Sequence, residues 1–194
     1  MFEAIAIGKM VVLRDFTESD LNSYLRWQTL GEWRYFDASW EGIAETLSAE
    51  QYQELSKHFL QERRETPPAL RKSLCIAALD ETPIGWVNRY QNDRLPEVYF
   101  LGIDICEDAY LGQGLGTEAL KLWVDYLFSN SDIHKLGLDT WSINPRMMHS
   151  AEKAGFVYEG MEREVRLWQS DRISLVHYGI LRDEWDSNPK SGRG

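Results

Sequence analysis

Two periods divide the chain. Runs in which apolar residues are continuous or alternate with polar ones, the mark of strands, occur at 9–15, 74–79, 84–90, 98–106, 134–141, 164–169 and 173–181. Elsewhere the apolar residues come three and four apart and predict helices. Leu21, Tyr24 and Leu25 share one face after Thr17-Glu18-Ser19-Asp20, which resembles a capping box with Asp in place of Glu, and Gly31 ends that helix. Tyr52, Leu55 and Phe59 follow a second capping box, Ser48-Ala49-Glu50-Gln51, and Pro67-Pro68 stops the helix. A third runs to Phe128, with Leu115, Ala119, Leu122, Trp123 and Tyr126 inward and Glu118, Lys121 and Asp125 on a narrow polar stripe. Asn144-Pro145 starts a fourth that Gly155 closes.

Three interruptions of this pattern carry candidate chemistry. In Leu111-Gly112-Gln113-Gly114-Leu115-Gly116-Thr117, glycines stand at alternate positions where the strand 98–106 hands over to a helix. Backbone N–H groups left uncovered there, together with the helix dipole, make an anion cradle; an ordinary glycine-rich loop is the other reading. Asp104 is the ionisable group in an otherwise apolar strand, so it has a hydrogen-bond partner, sits at an opening, or does chemistry. The segment 32–40 packs Trp33, Tyr35, Phe36 and Trp40 without a clean period, as a cover over a pocket or a cap on the core. Strand, glycine turn, helix and the strand 134–141 form a right-handed βαβ unit with parallel strands.

Composition narrows the classes. With 194 residues, 43% of them apolar, the chain fits one domain, 1–185, with a polar tail at 186–194, and it contains no repeat or low-complexity stretch. A net charge of -10 argues against a nucleic-acid surface, which depends on Lys and Arg. Cys75 and Cys106 lie alone in apolar runs, which predicts buried reduced thiols and a cytoplasmic location. The acidic start Met1-Phe2-Glu3 lacks the basic region of a signal peptide, and no apolar run is long enough for a bilayer. His58, His134, His149 and His177 show no metal-ligand spacing, so no metal is expected.

The motifs in their order resemble the GNAT superfamily of acetyl-CoA-dependent N-acetyltransferases. Leu111 to Gly116 is similar to the R/Q-x-x-G-x-G/A signature, and Asn144 through Glu152-Lys153-Ala154-Gly155-Phe156 and Glu159-Gly160 resembles the N-x(7)-E-K-x-G-F-x-x-E-G pattern of the branch with ribosomal-protein N-terminal acetyltransferases. Leu13 to Leu21 and Glu184-Trp185 fit that branch too. The resemblance implies an α/β (α+β) fold: a mixed, mostly antiparallel twisted sheet of about seven strands flanked by helices, splayed between its fourth and fifth strands, here 98–106 and 134–141. It implies acetyl-CoA as co-substrate, its pantetheine arm paired with backbone of Ile103 to Ile105, its pyrophosphate on Gly112, Gln113, Gly114, Leu115, Gly116 and Thr117, and Asn144 as a polar contact. Asp104 is the implied general base, since Gly102-Ile103-Asp104 resembles a triplet of aminoglycoside acetyltransferases whose Asp has that role. Trp33 and Phe100 are the implied substrate-side residues.

The sequence also departs from the family. Leu111 and Gln113 stand where charged residues are common, so phosphate binding rests on backbone amides. Ala151 occupies the position of a Tyr that protonates the leaving thiolate in many relatives, and no general acid is assigned. Phe100 replaces a strand glutamate frequent in the ribosomal branch. The expected acceptor is a primary amine, either a peptide N-terminus or a small molecule; an aminoglycoside or polyamine is the alternative, suited by the negative charge and the Trp33 segment. A non-catalytic acyl-CoA sensor is the alternative from another class, and a homodimer stays open.

Overall fold

The computed structural model describes residues 3–36 and 46–187; Trp40 and the tail beyond Ser187 lie outside them. One eight-stranded sheet contains β1 (Ala4–Ile7), β2 (Val11–Arg14), β3 (Ser73–Ala78), β4 (Pro83–Tyr90), β5 (Val98–Ile105), β6 (Lys135–Trp141), β7 (Val157–Trp168) and β8 (Asp171–Leu181), in the order β1-β2-β3-β4-β5-β6-β8-β7. Every neighbouring pair is antiparallel except β5 and β6. Seven strands were expected. The eighth is β1, a four-residue edge strand too short to show a period, and its presence makes the splayed pair β5 and β6. The strand expected at 164–169 begins much earlier, at Val157, because it is an exposed sheet edge along almost its whole length, with no buried face to mark it.

Parallel pairing of β5 and β6 requires a crossover, supplied by α3 (Leu115–Asn130). This helix buries Leu115, Ala119, Leu120, Trp123, Val124, Leu127 and Phe128 in one core with Leu13, Leu74, Ile76, Leu136, Leu138 and Ile180 of the sheet. At about 1.5–3 kcal/mol for each large apolar side chain removed from water, that layer is the main holding force on the helix. Its polar stripe is not simply solvated. Glu118 accepts hydrogen bonds from the backbone N–H groups of Lys9, Met10 and Val11 at 2.8, 2.7 and 3.0 Å, which ties the β1–β2 turn to the first turn of α3. Asp125 accepts from Trp185 Nε1 at 3.2 Å.

α1 (Leu21–Trp27) and α2 (Ala49–Arg64) supply a second aromatic layer around Trp86 of β4. Tyr24 and Trp27 lie 6.4 and 5.7 Å from the Trp86 ring, and Phe59 lies 4.8 Å from Tyr24. Both expected N-terminal boxes form. Ser48 and Gln51 exchange bonds of 2.9 and 3.2 Å, and Asp20 accepts from the Thr17 N–H at 2.8 Å. Asp20 does more, because Arg14 grips it with two bonds of 2.7 and 2.9 Å in a buried pair. Burial alone pushes the Asp20 carboxyl up, but the bonds from Arg14 and Thr17 and the Arg14 charge outweigh it and hold the group below the ordinary carboxylate range. The unfolded chain lacks these partners. The contribution of the pair is therefore in place above the ordinary carboxylate pKa and lost as pH falls through the depressed one.

Among the described residues no helix is long and apolar enough to cross a membrane. Cys75 is fully buried, and burial pushes its thiol up to about 12, which leaves it inert as a nucleophile.

Candidate active site

The site begins where the sheet comes apart. β5 and β6 are paired only at Val98–Lys135, Tyr99–Leu136 and Phe100–Gly137; beyond that point the strands diverge. Gly137 permits the last pair, since a Cβ there would fall 2.8 Å from the Phe100 ring. Two cavities open into the divergence, and Phe36, Ile103, Asp104, Asn144 and Met147 belong to the walls of both. A molecule in one can therefore meet a molecule in the other beside Asp104.

The first cavity is built on the glycine turn. Gly112 and Gly114 adopt φ of 73° and 88°, left-handed values that side chains resist, and Gly114 is the N-cap of α3 with no side chain over the helix end. The amides of Leu115, Gly116 and Thr117, without partners inside the helix, thus face the cavity mouth with the positive end of the dipole. Gly116 has an ordinary helical φ; its small size matters because a Cβ would touch Ile105 Cγ1 at 3.4 Å, on the wall that Ile103 and Ile105 supply. The Gln113 side chain donates to the Ala109 carbonyl at 2.6 Å and takes no part in the wall, so it braces the loop from outside and leaves only its backbone amide for a ligand.

The opposite wall is α4 (Pro145–Ala154). Asn144 caps this helix, its Oδ1 accepting from the Met147 N–H at 3.1 Å, and its amide nitrogen is left as a donor at the junction of the cavities. Arg146, His149, Ser150 and Lys153, spaced along one helix face, line the cavity as well. The sequence reading missed these cations, although the i, i+3, i+7 spacing of Arg146, His149 and Lys153 was there to find. Arg146 is held by Glu32 at 2.7 Å and lies 5.2 Å over the Phe36 ring. Ala151, at the position of the missing Tyr, is fully buried in the core and cannot reach the cavity, whereas Ser150 lines it.

The second cavity is a groove between β4, β5 and β6. Asp104 and Asp139 bring carboxylates to it, Trp86, Tyr90 and Trp141 bring aromatic surface, and among the described residues no basic side chain lines it. Asn88 Oδ1 is buried there without a hydrogen-bond partner, an acceptor left for a ligand donor. Behind the groove His177 Nδ1 lies 2.8 Å from Asp139, and its Nε2 3.5 Å from Glu162.

The two expected substrate-side residues lie apart. Trp33, in the short 3-10 turn Glu32–Tyr35, lines the first cavity and meets Trp86 edge-on at 4.9 Å, with its Nε1 buried and unpartnered. Phe100 is not in the groove wall; 6% exposed, it stacks on Tyr90 at 5.8 Å and covers Gly137 at the last paired position. A large apolar ring fits there because the pairing leaves it no open space.

The chain matches known proteins in sequence and in fold. The profile described as acetyltransferase (GNAT) domain matches residues 10–157. The Klebsiella pneumoniae protein named aminoglycoside N(6')-acetyltransferase type 1 is 30% identical over 163 residues, covering 77% of this chain and 75% of that one. A Bacillus subtilis (strain 168) protein named as a probable N-acetyltransferase, YjcK, is 33% identical over 106 residues; the match covers 52% of this chain and 58% of the relative, a little over half its length. Among solved structures, a GNAT-family acetyltransferase from Bacillus anthracis superposes with a TM-score of 0.71 at 15% identity, over 94% of this chain and 99% of that one. Spermidine N-acetyltransferase from Vibrio cholerae, in complex with CoA and spermine, gives 0.69 at 19%, over 91% and 98%, a likeness of fold. Profile, relatives and topology converge, and the chain belongs to the acetyltransferase (GNAT) family.

Proposed function

We propose that this enzyme moves the acetyl group of acetyl-CoA, the family's co-substrate, to a primary amine of a small polycation, an aminoglycoside before a polyamine. The observation that carries the reading is a groove with Asp104 and Asp139 on its walls and no basic side chain among its described lining residues. Ammonium groups favour such carboxylates and the faces of Trp86 and Trp141. Relatives that span three quarters of their length on this chain and are named aminoglycoside acetyltransferases support the same acceptor class.

The chemistry fits these residues. An alkyl ammonium near pKa 10.4 is about three units from its neutral form at pH 7, a cost of roughly 4 kcal/mol, so the acceptor needs a base. Asp104, on the wall common to both cavities, takes a proton from the ammonium before the freed lone pair attacks the thioester carbon, and the second proton that the nitrogen sheds on becoming an amide passes to solvent. The C–S bond then breaks and the thiolate, of pKa about 8.5, leaves and is protonated from solvent. When bound, acetyl-CoA supplies the activated acetyl group; Gly112 to Thr117 would hold its phosphates and the unpaired edge of β5 at Ile103 to Ile105 its pantetheine arm.

Thiol release measured with kanamycin, spermine and an Ala- or Ser-terminated peptide separates the acceptors. Turnover with kanamycin at least about tenfold above the peptide supports the reading. Turnover with the peptide alone overturns it and returns the acceptor to the ribosomal-branch class.

A further inference from the structure

The chain carries a formal charge of -10, yet the wall of the first cavity formed by α4 is basic. Arg146, His149 and Lys153 all face the cavity, and its acidic lining residue is Asp104, at the far, inner end. Arg146 is already engaged by Glu32 and Phe36. His149 and Lys153 have no hydrogen-bond or ion-pair partner among the described residues, so their donors stand open to the cavity. Local cations against a negative whole mark a place where an anion is held rather than merely tolerated.

The direction of α4 says which anion. Asn144, at its start, lies at the junction where the thioester must react, and Lys153 is nine residues further, about 13 Å along the helix at 1.5 Å per residue. The glycine turn, with its amides at Leu115 to Thr117, is the seat for the pyrophosphate, whose phosphates carry about one charge each. A cofactor running from the junction past that turn would present its 3'-phosphorylated ribose beside the outer half of α4, where Lys153 lines the cavity. That phosphate is a monoester with close to two negative charges at pH 7, and it is the group the glycine turn does not serve.

We propose that Lys153, assisted by His149, forms a specificity site for the 3'-phosphate of the cofactor's nucleotide, which makes this enzyme discriminate CoA from 3'-dephospho-CoA. The inference rests on the acetyl-CoA reading above and adds to it a recognition element on the opposite wall from the glycine turn. It divides phosphate recognition between two chemistries: main-chain dipoles for the pyrophosphate, and the Lys153 ammonium with a His149 ring donor for the terminal monoester.

Calorimetric titration of the full chain with CoA and with 3'-dephospho-CoA tests it, in the native protein and in Lys153→Gln and His149→Asn. The native protein should bind CoA about tenfold or more tighter than 3'-dephospho-CoA. Lys153→Gln should shrink that ratio to about twofold through weaker CoA binding alone, and His149→Asn should shrink it less. Unchanged binding of 3'-dephospho-CoA serves as the folding control. Equal native affinities for the two ligands, or a Lys153→Gln loss that falls equally on both, overturn the site while leaving the acetyl-CoA reading standing. Native protein that binds neither ligand overturns both.

Discussion

The two cavities that meet at Asp104 recognise by opposite means. The first offers backbone amides, two left-handed glycines and the basic side chains of Arg146 and Lys153 on α4, while the second offers carboxylates, an orphan amide oxygen at Asn88 and aromatic rings. Under the function proposed above, a polyanion would be drawn to one side of the sheet gap and a polycation to the other, in a chain whose net charge alone favours only the second. The difference shows that local fields, set by helix ends and strand positions, decide what a cavity binds, and that whole-chain charge does not.

The contrast can be broken most severely at the glycine turn. Gly114→Val forces a β-branched residue into φ 88° at the N-cap of α3 and should abolish CoA binding by calorimetry; tight binding by this variant would remove the backbone account. Asp104→Asn should lower turnover by well over about tenfold with CoA affinity nearly intact, and equal turnover would clear Asp104 of the base role. Asp139→Asn should raise KM for a polycationic amine about three- to tenfold, with kcat and CoA affinity little changed. A KM shift as large for a neutral-bodied peptide would show that charge is not what the groove reads. The smallest effect belongs to Gln113→Ala, within about twofold in CoA affinity, since Gln113 braces Ala109 and stands off the cavity wall.

The first cavity was the more legible in the sequence, and locality is the reason. Gly112 to Thr117 is a contiguous turn whose function follows from backbone conformation, and Asn144-Pro145 with Gly155 announces α4 from both ends. What escaped there was the orientation of α4: the spacing of Arg146, His149 and Lys153 defines a face, but only packing shows that the face looks onto the glycine turn. The groove is assembled from Trp86 and Asn88 on β4, Asp104 on β5 and Asp139 on β6, which no window of sequence contains. Asp104 was found because a charge interrupts an apolar strand; Asp139 was hidden because β6 has a polar residue on its open face in any case. The surroundings of Phe100 could not be read from its position in the chain, since a motif aligns residues and cannot show that Gly137 leaves room for a ring over it. Glu118 and Asp125 read only as a polar stripe because hydrogen bonds to Lys9 and Trp185 reach across more than half the chain in one case and across one helix and three strands in the other.

A sheet that loses its pairing after three residue pairs in its middle has two edges on the inside. The strands β1 to β5 on one flank and β6 to β8 on the other are then coupled by Val98 to Phe100, by the helices laid across them, and by whatever fills the gap. A co-substrate that completes the ladder becomes part of the fold it is consumed by. Thermal stability would then report the cell's acetyl-CoA supply, rising by about 2.7 kcal/mol at a hundredfold excess over Kd. Amide exchange along Ile103 to Ile105 would slow with it, so the enzyme loosens along its reacting seam when there is nothing to transfer.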